Sequence, residues 1–293
     1  MGKSPDKRAV LIAGPTASGK SALALKLAAE RGGVIVNTDA LQVYDGLRLL
    51  TARPSVEEMA KAPHRLYGIV SPARRFSTGE WARAAAEVIE AEGDRTLIFV
   101  GGTGLYFDAL TTGFADVPEV PAEAVLAAEA EVAGLDREAR GQLIAARDPQ
   151  IAARLKAPDP QRVIRALAVL NATGRSLASF QDEVQTGLLG GFELERLVLN
   201  PDREVLRQRI ARRFETMFEH GAVDEVRGLL SLGVDPSLPA MKAIGVPEIA
   251  AMLAGELTQA GAIESAIIAT RQYAKRQRTW FRNRMADWTW VES

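Results

Sequence analysis

At 293 residues, with 47% hydrophobic and 25% charged residues, the chain has the makeup of one large globular domain with an insertion, or of two modest ones. The absence of cysteine excludes disulfides, thiolate metal sites and thiolate nucleophiles, and the two histidines, His64 and His220, are too few for an imidazole metal centre, which leaves only a hard, oxygen-bound cation such as Mg²⁺. A net charge of −1 does not announce a nucleic-acid partner, so charge has to be read locally.

Met1 to Lys7 is short and polar, with no apolar signal core, and no later apolar stretch reaches the length of a membrane span. A cytoplasmic protein is expected. Arg8–Ala13 (RAVLIA) is an apolar run ending in glycine and proline, as suits a buried strand. Ser18–Arg31 has helical composition and is closed by Gly32-Gly33. Further strands are predicted at Val34–Val36, Tyr67–Val70, Thr96–Val100 and Glu195–Leu199, with a helix over Thr78–Glu92. Strands alternating with helices point to the α/β class, a P-loop NTPase-like parallel sheet flanked by helices.

From about Asp116 the pattern changes, and Pro118 to Leu189 carries helical periodicity without a strand. Asp159-Pro160 reads as an N-cap followed by proline at the first helical position, starting a helix that ends at Gly174. The expected organisation is an α/β core of residues 1–115 and 191–293, interrupted by an all-helical insertion over 116–190. Asp202 to Ala286 is mostly helical, with breaks near Gly233–Pro239 and Gly245–Pro247.

Gly14-Pro15-Thr16-Ala17-Ser18-Gly19-Lys20-Ser21 fits GxxxxGK[ST] between a predicted strand and a predicted helix, the context that the motif requires. Backbone amides and the helix N-terminus would cradle phosphate oxygens, Lys20 would add a full charge and Ser21 would ligate Mg²⁺ through the phosphates. The motif specifies a polyphosphate but not which one. The strand that ordinarily ends in a Mg²⁺-ordering acid ends here in Gly101-Gly102-Thr103-Gly104, leaving Asp39 or Asp202 as alternatives.

Arg271 to Arg284 contains six basic residues and no acidic one. At helical spacing Arg271, Lys275, Arg278 and Arg282 share one stripe, while Tyr273, Gln277, Trp280 and Arg284 share another. A basic stripe beside aromatics suits RNA phosphates and unpaired bases, although Trp280 and Phe281 would equally serve a core.

Taken in order, Gly14–Ser21 (GPTASGKS), Asn37–Tyr44 (NTDALQVY), Thr51–Pro54 (TARP), His64–Pro72 (HRLYGIVSP), Val100–Tyr106 (VGGTGLY), Asp159–Arg165 (DPQRVIR), Thr173-Gly174 and Lys275–Arg282 (KRQRTWFR) resemble the tRNA dimethylallyltransferases over almost the whole chain. The resemblance implies that the P-loop takes the diphosphate of dimethylallyl diphosphate, with Mg²⁺, and that the acceptor is an adenosine beside the anticodon of tRNA, modified at N6. It implies Asp39 as general base, Arg213 (before Phe214) as a stabiliser of the leaving diphosphate, and the hydroxyls of Thr16 and Thr103 at the diphosphate and the prenyl-acceptor junction. It implies tRNA contacts from Asp39, Ala40, Leu41 and Gln42, from Gln161, Arg162, Val163, Ile164 and Arg165, and from Lys275, Arg276, Gln277, Arg278, Trp280 and Arg282. The partners are then the tRNA anticodon stem-loop and the prenyl diphosphate, with no membrane, and a monomer is expected.

Simpler roles remain open for some of these residues. Asp39 after a strand is also a common turn cap, Thr103 a turn former, and Arg213 one of several arginines on a solvated helix face. Where the family pattern has tyrosine after Ala243-Ile244-Gly245, this chain has Val246 and Pro247. The competing readings are an isopentenyltransferase of free adenine nucleotides, a small-molecule P-loop kinase and a non-catalytic RNA-binding P-loop protein.

Overall fold

The computed structural model describes residues 7–292 apart from Gly93, Phe114, Asp116, Glu119 and Val184. Met1 to Asp6 of the polar N-terminal stretch, and Asp116, where the sequence pattern changes, thus lie outside the described residues. The chain divides into two compact units, one of Met1–Thr111 with Leu188–Ser293, the other of Thr112–Gly187.

The larger unit is built on β1 (Arg8–Ala13), β2 (Val34–Asn37), β3 (His64–Arg65), β4 (Leu97–Gly101), β5 (Glu193–Leu199) and β6 (Thr289–Val291). They form one sheet in the order β3-β2-β4-β1-β5-β6, and every pairing is parallel. The central strands are buried along almost their whole length, because helices cover both faces. All loops at the carboxyl ends of β1, β2, β4 and β5 therefore open on one edge of the sheet, where ligands bind in open α/β folds.

Two strand expectations differ from the structure. Tyr67–Val70 is not a strand; the short β3 precedes it, and Leu66 and Gly68 take left-handed backbone (φ 63° and 61°) that turns the chain away. A Cβ at Gly68 would fall onto the Arg53 guanidinium, which packs under this turn and donates from Nη1 to the Tyr44 carbonyl (3.0 Å). Val70 instead makes a lone parallel bridge to Tyr44. Conversely, Thr289–Val291 joins the sheet as β6, although three residues after a long helix carry too little periodicity to predict a strand.

The helix Gln259–Arg284 presents Ala262, Ala266, Thr270, Ala274, Gln277 and Phe281 to the interior at helical spacing. Small residues along most of this stripe allow close packing against the helices Arg203–Glu219 and Val246–Leu253. Val246, where the family pattern has tyrosine, is buried in the first turn of the latter helix.

The smaller unit is helical. Its core joins Ala128, Val132, Ile144, Ile151, Val163 and Leu167, among others. The helix Pro160–Thr173 begins on Asp159, whose carboxylate accepts from the Gln161 and Arg162 amides, and ends on Gly174 in the left-handed region (φ 69°). No helix of the described residues is long and apolar enough to cross a membrane.

Candidate active site

The P-loop follows β1 and passes into the helix Lys20–Arg31. Gly19 is left-handed (φ 91°) and supplies no side-chain cap, so the amides of the first turn are free of local competition for an anion. Lys20 is buried, and burial pulls its ammonium down to about 8; the Asp39 carboxylate opposes that shift and the Arg213 guanidinium adds to it. Arg213 is likewise lowered by burial and supported by Asp39. Residues from β1's loop, β2's loop and the helix Arg203–Glu219 therefore share one electrostatic neighbourhood.

Asp39 is placed by its own strand end. Its amide donates to Asn37 Oδ1 (2.8 Å), and Asn37 Nδ2 donates to the Asp39 and Leu66 carbonyls (both 3.0 Å). The Asn37 carbonyl accepts from Trp81 Nε1 (3.0 Å), and Trp81 stacks on Tyr106 with ring centroids 4.1 Å apart. Asp39 Oδ1 accepts from the Leu41 amide (3.0 Å), so one carboxylate oxygen does cap the turn. The other, Oδ2, lies toward Gly102, 3.4 Å from where a Cβ there would be.

Thr103 joins this loop to the one after β4. Its Oγ1 accepts from the Ala40 amide (2.9 Å), while its own amide donates to the Thr38 carbonyl (3.1 Å). Thr16, Asp39 and Arg213 line a single narrow pocket with Leu50, Phe214 and Tyr273. Burial first, and the Asp39 charge second, raise the phenols of Tyr67, Tyr106 and Tyr273, so all three remain donors around that carboxylate.

The remaining expected residues fall into different settings. Gln161, Arg162 and Arg165 are exposed on the helical unit, Ile164 is half-buried, and Val163 is fully buried in that unit's core, which removes it from any surface contact. Lys275, Arg276 and Arg282 are exposed and Arg278 is half-buried. Arg271, Lys275, Arg278 and Arg282 line a groove together with Arg203 and Arg207 of the neighbouring helix. Burial and the charges of Arg282 and Arg203 lower Arg278 despite nearby Asp202, so the groove crowds like charge.

Of the second stripe of the same helix, Gln277 and Trp280 turn inward, while Arg284 stays exposed. Trp280 packs on Gly104, whose missing Cβ would lie 2.5 Å from the indole, and Phe281 is core. Gln42 is buried and its Nε2 donates to the Thr51 and Ala52 carbonyls (2.8 and 3.1 Å). Gln277 is buried as well. The amide groups of these two glutamines face the interior rather than a free surface.

Asp202, one alternative for ordering a metal, caps its helix by accepting from the Glu204 and Val205 amides (2.7 and 3.3 Å). Among the described residues no group of three or more His, Asp or Glu side chains could hold a metal. The first-turn Ser21 hydroxyl, exposed beside buried Lys20, fits a cation carried on phosphate oxygens rather than one caged by protein. Sequence reasoning misses Asn37 and Glu225 as supports of the site. Asn37 stands inside the NTDALQVY motif, whereas nothing local marks Glu225, whose carboxylate accepts from the Leu49 and Leu50 amides (2.8 and 2.9 Å).

A family model described as IPP transferase matches residues 42–284. The chain is 53% identical to a tRNA dimethylallyltransferase of Chelativorans sp. (strain BNC1), covering 96% of this chain and 98% of that one. It is 50% identical to another of Rhizobium meliloti (strain 1021), over 97% and 94%. Among solved structures it resembles the tRNA isopentenylpyrophosphate transferase of Bacillus halodurans, with a TM-score of 0.68, 33% identity, and 98% and 90% of the two chains covered. It also resembles a eukaryotic dimethylallyltransferase acting on tRNA, with a TM-score of 0.78, 26% identity, and 94% and 70% covered.

Proposed function

We propose a reaction from one premise: the chain belongs to the IPP transferase family, and its activity is the prenylation of tRNA. In the finer reading, dimethylallyl diphosphate is the donor and N6 of the adenosine 3′-adjacent to the anticodon is the acceptor. The protein acts as a cytoplasmic monomer. The observation that carries this reading is that Thr16 of the P-loop, Asp39 and Arg213 line one pocket.

The adenine N6 is a poor nucleophile, because its lone pair is delocalised into the ring. As the N6–C1 bond forms and the C1–O bond to diphosphate breaks, the N6 proton passes to Asp39. Supporting Asp39 in that role is its geometry, with Oδ1 occupied by the Leu41 amide and Oδ2 directed to the Gly102 side. Negative charge grows on the departing diphosphate, where the P-loop amides, Lys20 and Arg213 oppose it. Lys20 is buried and Arg213 half-buried, and partial exclusion of water strengthens their pull on an anion. Mg²⁺, held on the diphosphate oxygens beside Ser21, would neutralise part of the leaving group's charge.

The Thr103 hydroxyl is held at the Asp39 loop by its bond from Ala40, which suits the acceptor side of the junction. Contacts to the RNA are assigned to Ala40 and Leu41, to exposed Gln161, Arg162 and Arg165 of the helical unit, and to Lys275, Arg276, Arg278 and Arg282 of the basic helix. The target base has to leave its stack to reach Asp39.

The test is to incubate the protein with Mg²⁺, dimethylallyl diphosphate and unmodified tRNA, with AMP and ATP as parallel acceptors, and to locate the added prenyl mass after digestion to nucleosides. Mass on a tRNA adenosine, reduced at least about a hundredfold in rate by Asp39→Ala, is expected. Transfer to free nucleotides, or ATP consumption without transfer, overturns the reading.

A further inference from the structure

The two loops that would hold donor and acceptor leave different strands, β1 and β4. Past the paired strand ends, a side chain ties them together. Gln277, 6% exposed, accepts from the Thr16 amide on Oε1 (3.0 Å) and donates from Nε2 to the Gly102 carbonyl (3.0 Å).

The fit is specific to glycine at one end and to an amide at the other. A Cβ at Gly102 would fall on Gln277 Nε2, with Asp39 Oδ2 close by. A glutamate at 277 would set a carboxylate against the Gly102 carbonyl and beside Asp39, and an apolar side chain would leave a buried donor and a buried acceptor unpaired. Only a group with one acceptor end and one donor end satisfies both loops.

We propose that Gln277 is a positioning residue for prenyl transfer, the strut that fixes the P-loop, and the diphosphate on it, relative to Gly102 and the Asp39 carboxylate. This role rests on the reaction proposed above. In-line displacement needs N6, C1 and the leaving oxygen aligned to within a fraction of an ångström, and a shift of about 1 Å costs on the order of a hundredfold. Thr16 lines the site and Gln277 stands behind it, so loosening the strut moves the donor's cradle without removing a side chain that lines the pocket. Gln277 thus acts through the loops it joins and not by touching RNA, which separates it from its exposed neighbours Lys275 and Arg276.

The experiment compares wild type, Gln277→Met, Gly102→Ala and the double variant in steady-state prenyl transfer to tRNA, with calorimetric binding of inorganic diphosphate. Methionine keeps the volume of the stem and loses both bonds. Gly102→Ala leaves the helix untouched and displaces Nε2, so it carries the test if Gln277→Met fails to fold. The expected result is a kcat lowered at least about tenfold in each single variant, with the KM for tRNA and the affinity for diphosphate within about threefold of wild type. The double variant is expected to be no worse than the poorer single, because both changes break one strut. A raised tRNA KM with kcat intact, additive losses in the double variant, or an unchanged kcat overturns the proposal. Absence of transfer by wild type, by contrast, falls on the reaction and not on the strut.

Discussion

Lys20 carries two pH dependences of opposite sign. Its ammonium is lowered to about 8 from an ordinary 10.5. In ligand-free protein, deprotonation above about pH 8 withdraws a charge from the proposed diphosphate site, so kcat/KM for the donor is expected to fall through that value. A pH profile at saturating tRNA measures this, and Lys20→Arg should move the alkaline limb upward, because guanidinium does not titrate there. Folding behaves inversely. The folded value lies below the unfolded one, so the Lys20 contribution to stability is present above about 10.5 and is lost as pH falls through about 8. Denaturant titrations between those values should show stability rising with pH, and Lys20→Met should flatten the rise. Little of this is visible in the motif, which marks Lys20 as a phosphate ligand but says nothing of Asp39 and Arg213 beside it.

Between neighbouring elements, the wall of the pocket is set by side chains distant in sequence. The short helix Arg48–Thr51 contributes Leu50 and Thr51 to the pocket and has no side-chain cap of its own; the Glu225 carboxylate takes the Leu49 and Leu50 amides in its place. Leu50 in turn fills the space over Gly245 (φ 102°), 2.5 Å from where a Cβ would lie. Glu225→Ala leaves two amides unanswered, a cost of about 1–3 kcal/mol each if they stay dry. It should lower Tm and reduce kcat/KM by roughly tenfold as Leu50 shifts, whereas Glu225→Gln, which keeps one acceptor, should be milder. Thermal melts with initial rates decide it. Elements whose signals are local were legible: RAVLIA as β1, the Asp159-Pro160 start and the Gly174 stop. Elements defined by a partner were not, as with β6, which exists through β5, and Tyr67–Val70, whose apolar run is turned aside by Leu66, Gly68 and Arg53. The same limit hid Gln42, Gln277 and Glu225, since an amide or a carboxylate in a sequence does not declare whether it faces RNA or a backbone group.

At the level of the whole molecule, a net charge of −1 for the 293-residue chain coexists with a groove of six basic side chains drawn from two helices of the larger unit. Charge is therefore sorted rather than absent, and association with RNA should be salt-dependent. If Arg203 and Arg207 each meet a phosphate, replacing both with alanine should raise the KM for tRNA. The slope of log KM against log salt should then fall by about 0.7–0.9 for each phosphate no longer neutralised, while diphosphate binding stays unchanged. An unchanged slope would leave the groove outside the RNA path. The strut from Gln277 to Thr16 spans 261 residues of chain, and this separation has a consequence for biosynthesis. A nascent polypeptide presents its phosphate loop long before the side chain that braces it exists. Pairings so distant in sequence close late. Catalytic competence should therefore arrive in one step, when the helix Gln259–Arg284 clears the ribosome and docks, so that no shorter chain can prenylate tRNA.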